Sequence, residues 1–130
     1  MGRKSKGQME EWEIDFEWLR IRHFLKDLMD QEKLPDLNNI LLLIGIRELG
    51  QAKESWTKEE KRDLMNIAAC SLLEMEGYYR FHALDDDGWP HFEQLKPFDI
   101  KGVAEQESWL KTRIIRYFKT KVFEDEMQAD

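Results

Sequence analysis

The sequence is poor in cysteine, proline, glycine and histidine, and it lacks any long apolar run. Cys70 is the single cysteine, so the chain cannot close a disulfide on itself, which is compatible with a reducing compartment. The most apolar run, Ile40 to Ile46, covers seven residues, whereas a membrane helix needs roughly 20. The basic start Arg3-Lys4-Ser5-Lys6 leads into no apolar stretch of the kind a secretory leader carries. A soluble, cytoplasmic protein with no membrane partner is expected.

Other absences remove whole classes of chemistry. The glycines stand singly, so no glycine-rich loop can cradle a phosphate, and no Gly-x-Ser-x-Gly elbow raises a nucleophile. Neither His-Glu-x-x-His nor a Cys-x-x-Cys pair occurs. Asp85-Asp86-Asp87-Gly88 lacks the alternation of a calcium loop. Neither Glu17 nor Glu76 has a histidine three residues on, as a ferritin-like diiron site requires. No cofactor is expected. Net charge is −7, which repels nucleic acid on average.

What the chain does have is large side chains. Hydrophobic residues make up 42% of it, with five Trp and seven Phe, enough to build a core and too many for a disordered body. With 130 residues it has the size of one domain. A single helical domain over residues 11–123 is expected, flanked by a disordered basic tail (1–10) and an acidic one (124–130).

Periodicity predicts four helices. In the first, about Glu13 to Gln31, Ile14, Trp18, Ile21, Leu25 and Leu28 recur in steps of four and three and share a face. Phe16, Leu19 and Phe24 lie off that stripe, so this helix is apolar on more than one side. The second runs from Asp36 or Leu37 to Leu49, with Asp36 as N-cap and Gly50 as terminator. It is apolar nearly all round, as a buried helix is, and Gly45 within it marks a close packing contact. The third opens on the capping box Thr57-Lys58-Glu59-Glu60 and ends at Gly77. Its small residues Ala68, Ala69 and Ser71 suit a close helix crossing, and Cys70 reads as a small core residue rather than a nucleophile. The fourth, about Val103 to Phe123, carries Leu110, Ile114, Tyr117, Phe118 and Val122 on its apolar side.

Between the third and fourth helices the pattern changes. Tyr78 to Leu84 and Trp89 to Leu95 favour strands and flank Asp85-Asp86-Asp87-Gly88, a hairpin turn signal. The rival arrangement continues the third helix to Ala83 and follows it with a loop. The fold class expected is mainly α, a bundle-like domain with a β-hairpin between helices three and four.

Three constellations carry candidate function. A four-residue hairpin loop sets His82 opposite His91, and cross-strand neighbours about 5 Å apart can chelate one ion with Asp85 and Asp87 nearby. A small metal-dependent enzyme would follow, although a slip of one residue destroys the pairing. Arg113, Arg116 and Lys119 form a basic stripe on the fourth helix. Three helices followed by a hairpin is also the order of a winged-helix nucleic-acid binder, but that is a fold-level analogy, and a triple-aspartate wing tip repels phosphate. Last, Trp12, Phe16, Phe24 and Trp89 are large rings of the kind that anchor interfaces. The leading expectation is a non-catalytic binding or assembly role, with a homo-oligomer or another protein as partner.

Overall fold

The structure, a computed structural model, describes residues 9–97 and 103–123. Its elements are α1 (Glu11–Leu28), α2 (Leu37–Leu49), α3 (Lys58–Glu74), β1 (Tyr79–Leu84), β2 (Pro90–Gln94) and α4 (Val103–Tyr117), and a π-helical turn, Phe118–Val122, continues α4. The fold is mainly α, with a two-stranded antiparallel hairpin between the third and fourth helices. The expected acidic tail and residues 1–8 of the basic one lie outside the described residues, whereas Met9 and Glu10 are described and Glu10 serves as the N-cap of α1. The described chain separates into two compact units, residues 9–35 with 103–123, and residues 36–97.

In the first unit, α1 packs on α4. Trp18, Ile21 and Leu25 are buried on one side of α1, and Ile114, Ile115, Tyr117 and Phe118 are buried on α4. Glu13 reaches back to the Glu10 amide (3.3 Å), satisfying one of the donors that every helix start leaves open. The other end differs from expectation. α1 stops at Leu28, because Asp30 adopts a left-handed conformation (φ 51°). The Gln31 amide then donates to the Lys26 carbonyl (2.9 Å), and that of Asp30 to Asp27 (3.3 Å). These are the two bonds of a Schellman cap, with aspartate taking the place usually held by glycine. Leu28, expected on the core face, is therefore at the exposed helix end.

In the second unit, α2 and α3 cross closely. A methyl group added at Gly45 would fall onto the Leu64 carbonyl, within 2.7 Å of its carbon, so the crossing requires glycine there. Asp36 caps α2 by accepting from the Asn39 amide (2.8 Å), and left-handed Gly50 (φ 75°) ends it. In α3, the Thr57 hydroxyl accepts from the Glu60 amide (3.1 Å), and the Glu60 carboxylate accepts from the Thr57 amide (2.9 Å). Gly77 (φ 81°) closes α3, with the Tyr78 amide donating to the Leu73 carbonyl (3.1 Å) and that of Gly77 to Glu74 (3.0 Å). Ile67, Ala68, Cys70, Leu72 and Leu73 are buried along α3.

The hairpin packs on α3. Its strands pair Tyr79 with Gln94, Arg80 with Glu93 and Phe81 with Phe92, then Ala83 with His91 and Leu84 with Pro90. The step from Phe81 to Ala83 leaves His82 as the extra residue of a bulge. This corrects the expected register. The connection spans Asp85 to Trp89, one residue more than the loop read from the sequence. Leu84 therefore meets Pro90 rather than Trp89, and His82 does not face His91.

Candidate functional site

The expected site residues fall into three places. Around the hairpin, Asp85 organises the turn. One carboxylate oxygen accepts from the amides of Asp87 (3.0 Å) and Trp89 (3.0 Å), and the other lies 3.0 Å from His91 Nε2. The Trp89 amide first, and the His91 ring after it, hold the Asp85 carboxyl below its ordinary range. Gly88 takes the left-handed conformation (φ 85°) that the turn requires, and Gln51 reaches across to the Asp87 carbonyl (3.3 Å).

Between α3 and the hairpin lies an open groove of about 600 Å³, lined in part by Asp85, Asp87, Trp89 and His91. Four residues singled out in the sequence thus come together, and His82 is not in the lining. Glu60 and Asp63 of α3 add further carboxylates, and buried Cys70 forms part of the wall. Burial pushes the Cys70 thiol above its ordinary range, away from the nucleophilic thiolate. Glu60 is held low by the Lys53 ammonium, 2.6 Å away, and then by the Thr57 amide. Trp89 meets Trp56 edge to face at 6.2 Å. Among the described residues no group of three or more His, Cys, Asp or Glu side chains is placed to hold a metal ion.

The basic stripe of α4 lies in the other unit. Arg113 is half-buried over the Trp109 ring, 5.0 Å from its centre, and bonds the Thr112 hydroxyl (3.1 Å). Lys119 lies 3.7 Å from the Glu17 carboxylate. Arg116 is exposed. Arg113 and Lys119 are thus already engaged by a ring or an acid of their own unit, and Arg116 has an interaction of its own as well.

The aromatic set divides. Phe24 meets Phe123 edge to face at 5.0 Å, and Trp89 has Trp56, so both rings have partners within the chain. Trp12 and Phe16 have no such ring partner among the described residues and are 66% and 60% exposed, and Leu19 beside them is 46% exposed. Trp12, Phe16, Leu19 and His23 recur in steps of four, three and four along α1, which sets them on one face. Trp18, Ile21 and Leu25 occupy the opposite, buried face. Sequence reasoning noted Phe16 and Leu19 as off the main stripe. It did not join them with Trp12 into a second stripe, although their spacing contains that signal.

Among the described residues no helix is long and apolar enough to cross a membrane. No protein-family model matches the chain, and no curated protein or solved structure is significantly similar to it.

Proposed function

We propose that this chain is a non-catalytic binding and assembly protein that associates with a second copy of itself through the outer face of α1. The observation that carries the reading is the stripe of Trp12, Phe16 and Leu19, left in water on a helix whose opposite face is buried. Single exposed apolar residues are ordinary, but a contiguous patch has a cost that a partner relieves. Aromatic rings are also favoured anchors at interface centres.

The size of the patch bears on affinity. At ordinary ring areas the exposed parts of Trp12 and Phe16 amount to on the order of 300 Å² per copy. A stable complex buries roughly 800 Å² per partner. The association is accordingly reversible and depends on concentration.

Light scattering behind a sizing column tests the reading. The expected result is a mass that rises from one copy toward two as concentration increases. Phe16→Asp, on an exposed position, is expected to give a monomer with an unchanged helical spectrum. A wild-type protein that stays monomeric at every concentration would overturn self-association.

A further inference from the structure

We infer that the two copies meet antiparallel, α1 against α1, so that the acidic first half of each helix lies along the basic second half of the other. This rests on the self-association reading above and specifies its geometry. The first half of α1 carries Glu11, Glu13, Asp15 and Glu17 and no basic residue. The second half carries Arg20, Arg22, His23 and Lys26, and its first acid is Asp27 near the helix end.

The helix dipole accounts for part of this division. It favours acids in the first turn and bases in the last, and its influence fades within a turn. That explains Glu11, Glu13 and Lys26. It does not explain Asp15, Glu17, Arg20 and Arg22, which stand in the middle turns.

The placement of these charges around the stripe points to a partner. At 100° per residue, Glu13 and Arg20 border one edge of the Trp12–Phe16–Leu19–His23 face, and Asp15 and Arg22 border the other. A parallel pair would set acid beside acid and base beside base. An antiparallel pair, with its two-fold axis between Phe16 and Leu19, sets Phe16 beside Leu19 of the second copy and Trp12 beside His23. The same axis brings Glu13 to Arg20 and Asp15 to Arg22. Such an interface is self-complementary and closes at two copies. Both arginines already have bonds within their own chain, Arg20 to Glu17 (2.7 Å) and Arg22 to the Pro35 carbonyl (2.8 Å). A guanidinium has five N–H donors, so each keeps donors for a second acid. Asp15 is exposed.

The experiment treats the full chain, at a concentration where light scattering reports two copies, with a zero-length carbodiimide, and maps the bridged peptides by mass spectrometry. Antiparallel copies are expected to give a bridge from Lys26 to Glu11 of the second copy. Those residues are about 22 Å apart along one helix, too far for a bridge within one chain, so the bridge is diagnostic of two. Asp15→Lys places a like charge against Arg22 twice per dimer, and is expected to raise the dissociation constant roughly tenfold, with the difference shrinking at high salt. A dimer that forms without the Lys26 bridge, or that Asp15→Lys leaves unchanged, overturns the antiparallel geometry while self-association stands. The absence of any dimer overturns both.

Discussion

Ser71 shows how much a single buried atom matters at the residue scale. It is 1% exposed, and its hydroxyl has no hydrogen-bond partner among the described residues. An unpaired buried hydroxyl costs free energy that an apolar atom of similar size does not. Ser71→Ala should therefore raise stability by about 1 kcal/mol, measured as a higher denaturant midpoint at unchanged slope. Gly45 has the opposite sensitivity. A Cβ there meets the Leu64 backbone, which cannot rotate away as a side chain can. Gly45→Ala should cost about 1–3 kcal/mol, despite the gain in helix propensity that alanine brings elsewhere. A variant as stable as the wild type would mean that α2 and α3 do not cross at this point.

At the scale of the element, one carboxylate organises the hairpin turn. Asp85 bonds two amides of its own turn and the His91 ring, and its carboxyl is held below the ordinary range. A folded-state value below the unfolded one contributes stability that is complete above the unfolded value and is lost as pH falls through the folded one. The hairpin should accordingly loosen only on strong acidification, below the ordinary aspartate value of about 3.9. Hydrogen exchange at the Trp89 amide would follow it, with protection falling as Asp85 protonates. Asp85→Asn should lower that protection at neutral pH and flatten its acid dependence. If the variant keeps the wild-type acid profile, another group governs the turn. The helix ends are organised just as locally. Thr57 with Glu60, left-handed Gly50 and left-handed Gly77 each satisfy backbone groups within a few residues of themselves.

At the scale of the whole molecule, the outer face of α1 has consequences for stability as well as mass. Anything that binds the folded state and not the unfolded one raises apparent stability by mass action. The thermal midpoint of the wild-type chain should thus rise with protein concentration. That of Phe16→Asp should not, and the two should converge on dilution. A midpoint independent of concentration in both would count against a second copy as the occupant of this face.

The sequence by itself determined the features whose causes are short in range. The Thr57–Glu60 capping box, the Asp36 N-cap and the left-handed glycines operate over three or four residues, so spacing alone placed α2 and α3, whereas the Asp-Gly turn favoured the hairpin without excluding a third helix continued to Ala83. Gly45 was legible for a related reason, since a lone glycine inside an apolar helix has few other uses. Tertiary structure decided what depends on a choice between near-equal alternatives. The pleat repeats every second residue, so one residue more in the connection was enough to move His91 from His82 to Ala83, and the bulge at His82 absorbs that extra residue. α1 has two apolar faces, and only the packing of α4 selected Trp18, Ile21 and Leu25 for burial and left Trp12, Phe16 and Leu19 outside. Phe24 looked like a free ring until the chain beyond the π-helical turn set Phe123 against it. Periodicity measures which residues share a face, whereas burial depends on which other element arrives there, and that second element lies far along the chain.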